Sequence, residues 1–151
     1  MGLGAKGLAM TTGGTDSAAR IGLRWTLAIF YFAAGIIHLV QPAPFLTITP
    51  GWVPMPLAVV LGTGVAEIAG AIGLVQAWSM RLRRAAAIGL ALYAICVFPA
   101  NINHMMIDLA KPVPDLGWAY HVPRMFAQPV LVWLALWVGG MIDWPFSRRS
   151  I

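Results

Sequence analysis

Residues 57–77, LAVVLGTGVAEIAGAIGLVQA, decide the fold of this chain. From 57 to 75 every position except Thr63 and Glu67 is apolar or glycine, and Glu67 is the only glutamate in the sequence. An apolar run of about 20 residues predicts a transmembrane helix. A carboxyl group near the bilayer centre costs about 2.5–3.5 kcal/mol on insertion scales, so Glu67 indicates a functional site or a buried polar network.

The composition of the whole chain predicts an integral membrane protein. Of its 151 residues, 60% are hydrophobic and 10% are charged, whereas soluble domains have about 25% charged residues. The lipid bilayer is therefore the expected partner. The net charge of +5 forms no basic stripe with interleaved aromatics, so we expect no nucleic-acid partner. Cys96 is the only cysteine, which excludes chemistry that needs a dithiol pair within the chain.

Prolines and charges divide the chain into one membrane domain with a tail on each side. The predicted units are a disordered N-terminal tail over 1–19, a four-helix membrane domain over 20–144 and a basic C-terminal tail over 145–151. The predicted transmembrane helices are 22–40, 57–77, 85–107 and 124–142. The predicted connections are a proline-rich segment over 41–56, a tight basic turn over 79–84 and a loop over 108–123. The fold class is therefore an all-α bundle of four transmembrane helices.

The basic residues predict how this bundle is oriented. Arg20 and Arg24 lie at the start of the first helix, and three arginines lie within 79–84. Lysine and arginine are enriched on the cytoplasmic side of membrane proteins. We therefore predict a multi-pass protein of the cytoplasmic (inner) membrane with both termini cytoplasmic. The segment 41–56 should then form an ordered cap over the outer mouth of the bundle.

Polar side chains within the predicted helices all fall in the outer half of the bilayer, given a rise of ~1.5 Å per residue. Asn101 and His104 share one helical face, as do Arg124 and Gln128. These features predict one polar pocket, formed by His38, Glu67, Asn101, His104, Arg124 and Gln128. Glu67 should contact at least one of the others inside the bundle, with Asn101 and His104 as its expected neighbours. Asn103 points away from this face, which predicts that it anchors a loop.

Simpler interpretations stay open for some of these residues. His38 and Gln128 could each serve only as hydrogen-bonding contacts between helices. His38, Glu67 and His104 could hold a metal, but their estimated depths differ by roughly 10 Å, so we predict no metal site. The sequence identifies no catalytic residue.

Short motifs in a fixed order carry a family resemblance. They are GIIH at 35–38, Pro42 with Phe45, PGWVP at 50–54, GTGVAEIAG at 62–70, the basic residues of 81–84, FPANIN at 98–103, and Arg124 with Gln128. Over about 22–142 the chain resembles the DoxX-like family of small four-helix membrane proteins. Named members of that family act beside quinone-linked sulfur oxidation or oxidative-stress partners. The resemblance thus implies a redox or oxidative-stress partner protein and a quinone as ligand, although no cofactor motif is identifiable in the chain itself.

Three functions are compatible with these features. The leading hypothesis is an integral membrane accessory protein of DoxX-like type, rather than a stand-alone enzyme, whose outward-opening polar pocket takes a small ligand or a redox partner. The second is an isomerase of the emopamil-binding type, with Glu67 and His104 as an acid–base pair. The third is a proton-coupled small permease with Glu67 as proton carrier, which at this size would have to work as a homodimer.

Overall fold

The computed structural model describes residues 17–144, and within that range all regular structure is helical. The helices are α1 (Ala18–Val40), α2 (Ala43–Ile48), α3 (Pro56–Val75), α4 (Met80–Leu109) and α5 (Gly117–Val138). The all-α prediction is therefore confirmed for this range. By length and composition, α1, α3 and α4 could cross a membrane, and α5 is not among them. The predicted tail over 145–151 and all but the last three residues of the tail over 1–19 lie outside the described residues.

The four long helices pack in a ring. α1 packs on α3, α3 on α4 and α4 on α5, while α1 also contacts α5, and α2 lies against α3 and α4. The apolar core fills only one half of this ring. Its largest fully buried members include Tyr31, Leu74, Leu90 and Val138. We call this half, where α1 begins and α5 ends, the core end, and we call the other half the cavity end.

The backbones of α1 and α3 approach each other closely at two glycines. A Cβ atom added to Gly35 would lie 2.6 Å from the carbonyl oxygen of Gly64, and one added to Gly64 would lie 2.8 Å from Cβ of His38. Only glycine allows the two backbones to come so near at these positions. The Cβ added to Gly35 would also lie 3.1 Å from Cβ of Glu67. Gly64 therefore faces His38 and Gly35 faces Glu67, and this contact sets the two side chains against each other.

The predicted basic turn over 79–84 is wrong, because its arginines lie within the first turns of α4. Ser79 caps this helix by accepting a hydrogen bond from the backbone N–H of Leu82 at 3.2 Å. Arginine is a good helix former, so nothing in the sequence after the cap ends the helix. The connection that remains is held by Gln76, whose side-chain amide bonds both the N–H and the carbonyl of Ser79.

The predicted start of the last helix and the predicted loop over 108–123 are also wrong. α4 continues to Leu109, and α5 begins at Gly117 rather than at 124. The carboxylate of Asp108 accepts hydrogen bonds from the backbone N–H groups of 115, 116 and 117 at 3.0, 3.2 and 2.9 Å. These are N–H groups that a new helix leaves without a partner inside the helix. A side chain from the preceding helix therefore starts α5 one to two turns before the predicted position.

The segment 41–56 is not an irregular loop throughout, since it contains the short helix α2. Pro42 is the N-cap residue of α2 and Pro44 lies in its first turn, where a missing N–H costs nothing. Asn103 donates a hydrogen bond to the carbonyl of Ile48 at 2.9 Å. This bond ties the end of α2 to α4, which confirms the prediction that Asn103 is an anchor.

At the core end, two arginines of α1 hold the last residue of α5 and the segment that follows this helix. Nε of Arg24 donates to the carbonyl of Val138 at 2.9 Å. Arg20 donates to the carbonyl of Ile142 at 3.3 Å and to Asp143 at 2.6 Å. Carbonyls at a helix C-terminus have no partner within the helix and carry partial negative charge. Arg20 and Arg24 therefore fasten α1 to α5 in addition to contributing positive charge at this end.

We predict that Gly35→Ala destabilises the fold. The new methyl group would meet a backbone oxygen at 2.6 Å, and such overpacking costs about 1–3 kcal/mol. Gly62→Ala on α3 is the matched control, since nothing lies within 4 Å of its added Cβ and alanine favours the helix by up to about 1 kcal/mol. Thermal unfolding in detergent should show a lower Tm for Gly35→Ala only. Equal Tm values for the two variants would contradict the close contact.

Candidate functional site

A cavity of about 400 Å³ occupies the cavity end of the bundle, and all five helices contribute to its wall. α2 and the residues that follow it cover one side of the cavity, as expected for the predicted cap. Most of the lining is apolar. The aromatic lining residues are Phe30, Tyr31, Phe45, Trp52 and Tyr93, and the other polar ones are His38, Thr49, Thr63, Glu67, Asn101, Arg124 and Gln128.

Glu67 provides a carboxyl group in the wall of this cavity. The residue is only 3% exposed, and its Oε2 atom is buried without a hydrogen-bond partner. Nδ1 of His38 lies 3.4 Å from that oxygen. Burying a carboxyl group without full hydrogen bonding is costly, so this oxygen is an unusual feature for a structural residue.

The hydrogen bonds of Thr63 explain why His38 leaves Oε2 of Glu67 unpaired. The hydroxyl of Thr63 donates to the carbonyl of Val60 at 2.7 Å. Its oxygen can therefore only accept from Nδ1 of His38, which lies 3.1 Å away. The Nδ1 proton of His38 is thus directed to Thr63 rather than to the carboxylate.

Two tyrosines complete the surroundings of Glu67. The hydroxyl of Tyr93 is close enough to donate a hydrogen bond to the carboxyl group, and the hydroxyl of Tyr31 is within electrostatic range of it. The two rings meet edge to face with centroids 6.0 Å apart. The Tyr31 hydroxyl is buried without a hydrogen-bond partner, so the cavity wall presents two unpaired polar atoms at this point.

Arg124 forms a second polar group, bonded only to neutral acceptors in the contacts that the described range shows. Its guanidinium donates to Oδ1 of Asn101 at 2.5 Å, to Nδ1 of His104 at 2.8 Å and to the hydroxyl of Tyr120 at 3.1 Å. A guanidinium has donors only, so His104 must accept at Nδ1 and is neutral in this arrangement. No carboxylate therefore balances Arg124 within this network.

The carboxyl and the guanidinium groups lie at opposite ends of the cavity. Tyr93 is beside Glu67 and Asn101 is beside Arg124, and the eight residue steps from Tyr93 to Asn101 on α4 correspond to a rise of about 12 Å. At such a distance a charged pair separated by protein gains little from direct attraction. The cavity therefore has an acidic end and a basic end with apolar wall between them.

Five of the six residues predicted to form a pocket line this one cavity. His104 does not line it and reaches it only through Arg124. Glu67 has His38 and Tyr93 beside it, so the expectation of Asn101 and His104 as its nearest neighbours is wrong. The reason is depth, because both lie beyond Tyr93 toward the cavity end of α4. Whether the five residues bind a ligand stays a prediction.

Sequence reasoning missed the buried pair Asp108 and His121. His121 is fully buried, and its Nε2 donates to Oδ2 of Asp108 at 3.1 Å. Its ring packs edge to face on His104 at 5.1 Å. Both residues lie within the predicted loop over 108–123, and polar side chains in a loop do not indicate a buried contact. The available signal was an aspartate followed by a Pro-Asp-Leu-Gly turn before an apolar run, which is typical of a helix start.

The arrangement offers hydrogen-bonding groups rather than a metal site. Within residues 17–144, no three His, Cys, Asp or Glu side chains come close enough to hold a metal ion together. Cys96 is exposed and is one of the residues that line the cavity. An acceptor at Glu67 and donors at Arg124 are therefore the groups that a bound molecule would meet.

Fold and cavity together define a small helical protein with three helices that are apolar enough to cross a membrane. The chain belongs to the family described as "Domain of unknown function (DUF8561)", whose model matches residues 27–139. This range includes every residue that lines the cavity. No curated protein and no solved structure matches the chain.

We predict that Asp108→Ala destabilises the protein far more than Asp115→Ala. Asp108 is buried and accepts three backbone hydrogen bonds together with one from His121, and hydrogen bonds to a charged group contribute about 1.5–3 kcal/mol. Asp115 is 69% exposed in its side chain and pairs with Lys111, a contact worth less than about 1 kcal/mol. Chemical unfolding in detergent measures both. Equal losses would contradict the assigned role of Asp108.

Proposed function

We propose that this protein is an integral membrane protein that binds a small lipophilic molecule with polar groups in the cavity between its helices. The observation that carries the proposal is the unpaired, buried Oε2 of Glu67 in the wall of a largely apolar cavity. A residue that only joined helices would have its hydrogen bonds satisfied by the protein. Ligand cavities combine apolar walls with a few convergent polar groups in this way.

We also propose that α5 is a fourth membrane span, which makes a bundle with both termini in the cytoplasm. Its 22 residues are long enough to cross the hydrocarbon core. Its polar side chains His121 and Gln128 are buried, as expected for polar residues in a membrane helix. The opposite face carries the exposed apolar side chains Val122, Phe126 and Val130 at four-residue spacing, which suits contact with lipid tails.

Within this proposal, the protein is an accessory subunit of the cytoplasmic membrane rather than a stand-alone enzyme. The resemblance to the DoxX-like family supports a quinone as one candidate ligand and a redox or oxidative-stress protein as partner. An isomerase built on Glu67 and His104 gains no specific support, because His104 lies outside the cavity wall and Glu67 is beside His38. The permease hypothesis likewise stays a prediction.

Ligand binding can be tested with a variant that fills the cavity. Ala100 lines the cavity on α4, whereas Ala85 on the same helix is exposed and does not line it. We expect decylubiquinone or phenylbutanol to raise the Tm of the wild-type protein saturably in detergent. Ala100→Phe should weaken this effect at least tenfold, and the matched control Ala85→Phe should leave it unchanged.

Two results would contradict the ligand-binding proposal. One is that neither probe stabilises the wild-type protein. The other is that a folded Ala100→Phe variant responds as strongly as the wild type. A response to decylubiquinone that phenylbutanol does not share would favour the redox role.

The proposed topology predicts which positions face the outside of the cell. On a Cys96→Ala background, single cysteines at Gly51 and Val113 should react with a membrane-impermeant maleimide in intact cells, and one at Ala77 should react only after lysis. All three positions are exposed, and no atom lies within 4 Å of a Cβ added at Gly51. The reverse labelling pattern would overturn the orientation, and labelling of Val113 on the side of Ala77 would exclude a spanning α5.

A further inference from the structure

We infer that the ligand of this cavity is a lipophilic amine in its protonated form, whose nitrogen donates a hydrogen bond to Oε2 of Glu67. The inference rests on the proposed role of the cavity as a ligand site and narrows it to one chemical class. Glu67 is nine-tenths buried or more, and its unpaired oxygen lies in the cavity wall.

The protein itself does not provide the missing donor. The Nδ1 proton of His38 is bound to Thr63, and the hydroxyl of Thr63 is bound to the carbonyl of Val60. The hydroxyl of Tyr93 can donate a hydrogen bond to the carboxyl group, but Oε2 has no hydrogen-bond partner. The remaining nearby hydroxyl, that of Tyr31, makes no hydrogen bond to Oε2, since both atoms lack a partner. A donor to Oε2 can therefore be supplied by a molecule inside the cavity.

A charged donor fits this position better than a neutral one. Among the lining residues of the described range, Glu67 is the only acidic side chain, and Arg124 is held toward the other end of the cavity by its hydrogen bond to Asn101. A neutral hydroxyl would satisfy the hydrogen bond and leave a buried negative charge without a counter-charge. A protonated amine supplies both the hydrogen bond and the counter-charge. Hydrogen bonds between two charged groups are stronger than those between neutral groups.

Aromatic rings line the cavity, and those of Tyr31 and Tyr93 are next to Glu67. Phe30 and Phe45 are also among these rings, and Phe45 packs against the His38 ring with centroids 3.8 Å apart. Aromatic faces attract ammonium groups, most strongly where water is excluded. A carboxylate among aromatic rings is therefore the combination that recognises an alkylammonium head.

The basic end of the cavity sets the orientation of the amine. Arg124 would repel an ammonium group, and its hydrogen bonds to Asn101 and His104 hold it away from Glu67. The ligand therefore places its nitrogen beside Glu67 and extends its apolar body along the wall. Phe30 and Cys96 both line the cavity and are exposed on the outside of the bundle, which gives a lipophilic amine a route from the bilayer.

A matched pair of probes separates charge from lipophilicity. Phenylbutylamine and phenylbutanol differ only in the polar group, and binding to the detergent-solubilised full chain is measured by calorimetry. We expect the wild-type protein to bind the amine at least tenfold more tightly than the alcohol. Glu67→Gln should remove this preference by weakening only amine binding. Asp115→Asn, which makes the same charge change at an exposed site, should retain it.

A second measurement uses the wild-type protein, so it does not require that a variant folds. Dicyclohexylcarbodiimide modifies carboxyl groups within apolar surroundings, and mass spectrometry quantifies its adduct on Glu67 of the wild-type protein. Phenylbutylamine should slow this modification, and phenylbutanol at equal occupancy should slow it much less.

The outcomes distinguish this inference from the proposal on which it rests. Equal binding of amine and alcohol by the wild type, or equal protection of Glu67, would overturn the amine and leave a ligand cavity in place. An amine preference that survives in a folded Glu67→Gln variant would also overturn it. Failure of both probes to bind would remove the ligand cavity itself.

Discussion

The close contact between α1 and α3 at Gly35 and Gly64 is the constraint on which the candidate site depends. Because neither position tolerates a Cβ atom, the two backbones approach to a distance that other residues would prevent. Gly64 faces His38 and Gly35 faces Glu67 across this contact, and Nδ1 of His38 is brought to 3.4 Å from Oε2 of Glu67. Within a membrane, helices gain little from apolar burial against each other, so packing of small residues determines where they meet. The same glycines that join the helices therefore place the carboxyl group in the cavity wall.

Side-chain size also explains why the bundle is closely packed at the core end and open at the cavity end. At the core end, small residues such as Ala87 and Ala135 alternate with Leu74 and Leu90, and the helices close on each other. Arg24 then ties α1 to the last turn of α5 at Val138. At the cavity end the aromatic side chains and the inserted α2 hold the helices apart. The result is a closely packed half next to a half that can contain a molecule.

The sequence predicted the number and order of the long helices, because each is an apolar run between prolines and charges. It did not predict where two of them begin. Ser79 and Asp108 start α4 and α5 through side-chain hydrogen bonds, and the bonds of Asp108 join residues from separate helices. The depth estimate also placed five polar residues at one end of the bundle, where the cavity lies: His38, Glu67, Asn101, Arg124 and Gln128. It could not identify Tyr93 as a neighbour of Glu67, since an aromatic residue in an apolar helix gives no polar signal and helix rotation is unknown.

The two charged groups of the cavity are stabilised in different ways, and this difference indicates where chemistry can occur. Arg124 has three neutral acceptors from α4 and α5, and His104 among these packs on the His121–Asp108 pair. A chain of contacts thus holds the guanidinium in place and connects it to Asp108, the residue that starts α5. Glu67 has less support, because its Oε2 atom lies in the cavity wall without a hydrogen-bond partner. The guanidinium end is therefore built to be stable by itself, and the carboxyl end is the part of the cavity that a bound molecule would complete.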